Sequence, residues 1–132
     1  KKVKNLLSNG YLWNVSGLAF YFFTLLNSKP FLIRYNEIRK LYIRETKDFL
    51  NELSKIDLIK VYPSKANFAL IELPKSISSF DFTMDLLINF GIYVRDCNDK
   101  IGLNGNFIRI ASRGKVNNAM IINAIKNYIN ER

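Results

Sequence analysis

The sequence predicts an α+β fold: a small, mostly antiparallel β-sheet with helices packed on it. Three observations predict it. Hydrophobic residues recur at helical spacing up to about Lys55, and beyond it the apolar runs are of strand length. Proline or glycine stands where one segment gives way to the next, at Pro30, Pro63, Pro74 and Gly91. The resulting order is helix, long helix, strand, strand, helix, strand, strand, helix, the pattern of one sheet with helices layered on it.

Leu12 to about Asn27 reads as one helix, apolar nearly all round and so expected to be buried on most sides. Lys1, Lys2 and Lys4, followed by the apolar run from Gly17 to Leu26, imitate a secretory leader. The run is too short to span a bilayer, and no small-residue cleavage pattern follows it. Pro30 separates this helix from a second, from about Phe31 to Ser54. The apolar stripe of the second includes Tyr35, Ile38, Tyr42, Phe49 and Leu53, and Arg44 and Asp48 stand one turn apart on its polar side. Leu58 to Tyr62 is a short strand stopped by Pro63, and Ser64-Lys65 makes the turn. Ala66 to Leu73 is apolar on both faces except at Glu72, which places it centrally in a sheet. Ser78 or Ser79 caps the next helix, which turns Phe82, Leu86, Leu87 and Phe90 inward and stops at Gly91 in a left-handed position. Strands at Ile92–Val94 and Phe107–Ser112 follow. A last helix from about Lys115 to Asn130 buries Val116, Ile121, Ile122, Ile125 and Tyr128 or Ile129.

At 132 residues the chain is one domain's worth, and without a starting methionine it reads as a piece of a longer one. It contains no histidine, which removes the commonest general base and the commonest metal ligand. Cys97, the only cysteine, cannot form an internal disulfide, and nothing in cysteine usage indicates an oxidising compartment. Metal sites built on Cys and His are excluded. Twenty basic residues against eleven acidic ones leave a net charge of +9, which favours an anionic partner: nucleic acid, acidic lipid or a phosphorylated small molecule. The basic residues are spread along the whole chain, the distribution of a solvated surface and not of a nucleic-acid footprint.

The stretch from Gly91 to Arg113 holds the candidate site. Along the strand from Phe107, alternation points Phe107, Arg109, Ala111 and Arg113 one way and Ile108 and Ile110 the other. An arginine within an apolar strand is costly unless its charge meets a partner. Arg95 ends the preceding strand, across a loop containing Gly102 and Gly105, which permit close approach to a ligand. If the two strands are neighbours, two planar guanidinium forks converge on one anion, a carboxylate or phosphate. On the plainer reading each arginine pairs with a nearby acid such as Asp96 or Asp99. Cys97 reads as a loop residue and not a nucleophile, since no base stands near it in sequence.

Five motifs in this order resemble the C-terminal part of class I/II (fold type I) pyridoxal-phosphate enzymes, in the branch of histidinol-phosphate aminotransferase and threonine-phosphate decarboxylase. They are Trp13-Asn14-Val15-Ser16, Tyr62-Pro63-Ser64-Lys65-Ala66-Asn67-Phe68, Gly91-Ile92-Tyr93-Val94-Arg95-Asp96-Cys97, Phe107-Ile108-Arg109-Ile110-Ala111, and Asn117-Asn118 opening the final helix. The Arg95-Asp96-Cys97 motif and its fourteen-residue step to Arg109 resemble the decarboxylase type and related aminotransferase-like sequences. The Trp13-Asn14 segment also resembles aminotransferase-like proteins fused behind a sugar-nucleotide nucleotidyltransferase.

The resemblance implies the small domain of the aspartate-aminotransferase fold over residues 1–132: a connecting segment and helix (1–27), a long helix (31–54), and a sheet with two helices (58–132). It implies pyridoxal 5'-phosphate in the parent enzyme, a large cofactor-binding domain of the same chain, a homodimer and a cytoplasmic setting. The Schiff-base lysine, phosphate cradle and other cofactor contacts belong to the large domain and have no match here. No catalytic or cofactor-binding residue is therefore expected in this chain, and no activity of it alone. By the same resemblance Arg109 holds the anionic head of the substrate and Arg95 a second anionic group, while Arg113 suits the decarboxylase-like pattern or is a surface charge. The rival reading is a basic module contacting nucleic acid through Arg34, Arg39, Lys40, Arg44 and Lys47 of the second helix; a third is a dimerisation or scaffold domain.

Overall fold

Ser16 opens the first helix of the computed structural model, which describes residues 15–131. The expected helix start at Leu12, the Trp13-Asn14 pair and Lys1, Lys2 and Lys4 lie outside the described residues. The chain divides into two compact units, one up to Arg39 and the other from Lys40.

In the first unit, α1 (Gly17–Leu25) is capped by the Ser16 hydroxyl, which accepts the Ala19 N–H at 3.2 Å. No residue of α1 is buried, and Phe20 is 71% exposed. This corrects the expected burial on most sides. Apolar composition makes a helix gain from cover, but does not supply the cover. Phe22 alone of α1 meets rings further on, edge-on to Phe31 at 6.1 Å and to Tyr35 at 5.6 Å. The second helix, α2 (Lys29–Leu53), starts two residues earlier than the proline suggested. Pro30 sits in its first turn, where a missing N–H leaves no helical bond unmade. Of the expected stripe, Ile38 is exposed, while Phe49 and Leu53, in the second unit, are buried.

The second unit is built on a four-stranded sheet of order β1-β2-β4-β3, antiparallel throughout: β1 (Lys60–Val61), β2 (Phe68–Leu73), β3 (Arg95–Asp96) and β4 (Asn106–Ala111). β2 is central, as its apolar run implied. One face of the sheet carries Ala69, Ile71, Leu73, Ile108 and Ile110 into the core, where they join Phe49 and Leu53 of α2. α3 (Ser79–Phe90) and α4 (Lys115–Asn130) complete that core, with Phe82 edge-on to Tyr128 at 4.7 Å between ring centroids.

Ser78 is the cap of α3, its hydroxyl accepting the Asp81 N–H, and Gly91 ends the helix at φ +64°. Phe82 and Leu86 are buried as expected, but Leu87 and Phe90 are exposed. The buried arc of α3 is Ser79, Phe82, Thr83 and Leu86, one stripe at helical spacing, and the other two flank it. The bounds of α4 are those expected, and Ile121, Ile122, Ile125 and Tyr128 are buried. Val116 is 76% exposed because it precedes the buried arc, which begins at Asn118. The strand expected at Ile92–Val94 pairs instead at Arg95–Asp96. The apolar run marks where the chain enters the core, with Val94 buried; the ladder itself uses main-chain groups that any residue supplies. Among the described residues no helix is long and apolar enough to cross a membrane.

Candidate functional site

The second face of the sheet is open, and the two predicted arginines meet on it. β3 pairs with β4 so that Arg95 stands directly opposite Arg109, and β2 places Leu70 on the other side of Arg109. Residues directly opposite share a face. The open face therefore carries Arg95, Arg109 and Leu70 in one row, with Phe68 opposite Ala111 and Glu72 opposite Phe107 in the rows beside it.

Arg109 is exposed, so the expectation of a charge embedded in an apolar face is corrected: Ile108 and Ile110 of β4 point to the core, and Arg109 points away from it. Its guanidinium lies over the Phe68 ring, 5.0 Å from the centroid. Among the described residues it forms no ion pair. Arg95 does, donating to Asp99 at 3.3 Å. Asp99 also accepts from Lys100 at 2.8 Å, and that bond, ahead of the charges of Lys100 and Arg95, holds its carboxyl below the usual range. Pairing with a nearby acid thus describes Arg95 and not Arg109. The Arg95–Asp99 pair is solvent-exposed and weak, so a better anion can displace it. Asp96 is occupied elsewhere, accepting from the Ser79 hydroxyl and from the Asn98 N–H, each at 3.0 Å. Gly105, at φ +146°, admits the chain's own Phe107, whose ring would lie 3.2 Å from a Cβ there.

Three features of the site escaped sequence reasoning. Phe68, inside a quoted motif, is the platform under Arg109; cross-strand register was the missing information. Tyr62 donates to Glu72 at 2.6 Å, a bond that keeps the Glu72 carboxyl low, and Lys60 pairs with the same carboxylate at 3.5 Å. The third is the knot around Ser112, just past β4. Its main-chain N–H donates to the Asn67 carbonyl at 2.8 Å, its carbonyl accepts from the Tyr42 hydroxyl, and its own hydroxyl accepts from Asn118 Nδ2 at 3.0 Å. Asn118 Oδ1 takes the Arg113 N–H at 2.7 Å. One residue thereby ties α2, β2 and α4 to the end of the strand that bears Arg109. Arg113 lies beyond β4, exposed, with Gly114 turning the chain at φ +84°.

Cys97 is only 4% exposed, and its Sγ lies 3.7 Å from the Arg95 carbonyl. Burial pushes its thiol up, outweighing the pull of Arg109 and Arg95 toward the thiolate. In the folded protein at pH 7 a thiol reagent such as dithionitrobenzoate is expected to modify Cys97 far more slowly than in denaturant. Equal rates in the two conditions would mean that the thiol is open to solvent.

No family model matches the sequence. The chain is 52% identical over 130 residues to an L-serine phosphate decarboxylase of Campylobacter jejuni, covering 98% of this chain and 33% of that protein. A solved decarboxylase from Sulfurospirillum multivorans superposes with a TM-score of 0.86 at 42% identity, over 96% of this chain and 36% of that one. The histidinol-phosphate aminotransferase of Clostridium acetobutylicum superposes with a TM-score of 0.70 at 30% identity, over 81% of this chain and 31% of that one. The chain thus spans about a third of the length of the curated decarboxylases it matches. In sequence and in fold it is a homologue of the C-terminal part of the serine- and threonine-phosphate decarboxylases and histidinol-phosphate aminotransferases.

Proposed function

We propose that the chain is the small C-terminal domain of a pyridoxal-phosphate enzyme that decarboxylates a phosphorylated amino acid of the L-serine phosphate kind, with Arg109 and Arg95 holding the substrate's two anionic groups. The observation that carries the proposal is the placement of Arg95 directly opposite Arg109 on an open sheet face, with Arg109 left without an ion pair among the described residues. L-serine phosphate offers two anionic groups, a carboxylate and a phosphate. Arg109, stacked on Phe68, presents a fork whose orientation is already restricted, so less freedom is lost when it binds. Arg95 exchanges a weak exposed pair for a stronger, bidentate one. The domain's work is to bind and orient, so that the bond to be broken faces the cofactor.

The cofactor supplies an electron sink when bound. Residues of this chain do not fit the task of holding it: every described lysine is exposed, whereas a Schiff-base lysine works desolvated in a pocket. Cofactor binding therefore falls to a larger domain of the same polypeptide. A homodimer and a cytoplasmic setting accompany this reading. The nucleic-acid module has less support, because the basic residues of α2 alternate with Glu37, Glu45 and Asp48, and Arg34 pairs with Glu37 at 3.2 Å.

The test is to supply the full-length protein with L-serine phosphate and follow products by mass spectrometry. Carbon dioxide and ethanolamine phosphate in equal amounts are expected, the carboxylate leaving and a proton taking its place. In a parallel reaction supplied with histidinol phosphate and a 2-oxoacid, amino transfer without release of carbon dioxide, together with no turnover of L-serine phosphate, would assign the chain to the aminotransferases instead.

A further inference from the structure

We infer that the groove between the second half of α2 and the turn from β1 to β2 binds a small organic anion with an apolar body, a phosphate monoester or a carboxylate. The groove encloses about 430 Å³ and shares no residue with the arginine pair. Its α2 wall presents Tyr42, Ile43, Thr46, Lys47 and Leu50, one helical face, and its other wall is Ser64, Lys65, Ala66 and Asn67. Ligand sites of this size are mostly apolar with a few polar groups that set orientation, and this lining has that balance.

The charge of the lining selects the ligand. Lys47 and Lys65 stand in it with no carboxylate among the lining residues, and neither is ion-paired among the described residues. Beside Tyr42, whose hydroxyl is already given to the Ser112 carbonyl, three other polar groups of the lining can donate. Ser64 Oγ accepts the Ala66 N–H at 3.1 Å and so keeps its own proton free. Asn67 gives its carbonyl to Ser112, while its side-chain amide is uncommitted among the described residues. Thr46 is 7% exposed, and its hydroxyl has no hydrogen-bond partner among the described residues; a turn about χ1 exchanges it with the methyl group. The neighbouring groove between α2 and α4, of about 410 Å³, is a useful contrast. There Arg44 and Lys115 face Glu45, Asp48 and Glu52, so its cations already have counter-charges. Of these two, the groove beside the β1–β2 turn is the one that combines apolar walls with a positive charge left uncompensated among the described residues.

The inference is independent of the proposed reaction, and its probe is phenyl phosphate, titrated calorimetrically into the full-length protein carrying Arg95→Gln and Arg109→Gln, so that the sheet's own anion pair does not compete. Saturable binding of one equivalent is expected. Adding Lys47→Gln and Lys65→Gln should weaken it about tenfold, and the same pair of changes at Lys60 and Lys126 should leave it within about twofold. Ala66→Phe, which fills the groove without altering charge, should abolish it in a protein whose circular dichroism is unchanged. Phenol and inorganic phosphate should each bind at least about tenfold more weakly than phenyl phosphate, since each lacks half of the recognised chemistry. The inference is overturned if phenyl phosphate fails to saturate, if the two pairs of lysine changes weaken it equally, if Ala66→Phe leaves it intact, or if inorganic phosphate binds as well.

Discussion

Replacing Arg109 by alanine in the full-length protein is expected to lower kcat/KM by about 2–5 kcal/mol, roughly thirty- to several-thousand-fold, the range for removing one partner of a hydrogen-bonded charge pair that binding buries. Arg109→Lys should recover part of this, because lysine restores the charge but not the planar fork. The fold should tolerate both changes. Arg109 is exposed, has no ion pair among the described residues and gives up only its contact with Phe68. Arg95→Ala should act mainly on KM, and Asp99 keeps Lys100 as a partner when Arg95 is gone. Kinetics on the full-length protein, with circular dichroism and cofactor content as controls, decide the matter. Intact catalytic efficiency together with loss of folding in Arg109→Ala would make this arginine structural.

Asn118→Ala should produce the largest loss of stability among the polar substitutions considered. Asn118 is buried, as is Ser112, and its amide satisfies both the Ser112 hydroxyl and the Arg113 N–H. Truncation strips both of their partners at once. At about 1–3 kcal/mol for each buried group left unsatisfied, the cost is about 2–4 kcal/mol, allowing for partial recovery by water at Arg113. Urea unfolding measures it directly. A double-mutant cycle with Ser112→Ala should be non-additive, because the two residues share a bond. A loss below about 0.5 kcal/mol would show that the knot is replaceable. The same variant should raise KM in the full-length protein, since β4 ends at this knot and Arg109 lies three residues before it.

Asn118 also illustrates what could be read beforehand. Its motif was visible as a resemblance, but its partners were not, because Ser112 is bonded from Tyr42, seventy residues away, as well as from the neighbouring helix. Arg95 and Arg109 were legible as candidates from strand alternation. That they stand opposite each other follows from the register of β3 on β4, which no local pattern encodes when one strand is two residues long.

The sequence by itself determined what depends on residues within a turn or two of each other. The cap at Ser78, the left-handed stop at Gly91, the bounds of α4 and the inward and outward alternation of β4 are local consequences of hydrogen bonding, allowed φ and side-chain direction. Only the tertiary structure decided cover and register: that α1 has no buried residue although it is apolar, that Val116 and Leu87 miss the core, that β3 begins at Arg95, and that the face bearing the two arginines is the open one. The physical reason is that burial is a property of what lies opposite a surface. An apolar side chain gains equally from any cover, so its own sequence neighbourhood does not say which segment, if any, will supply it.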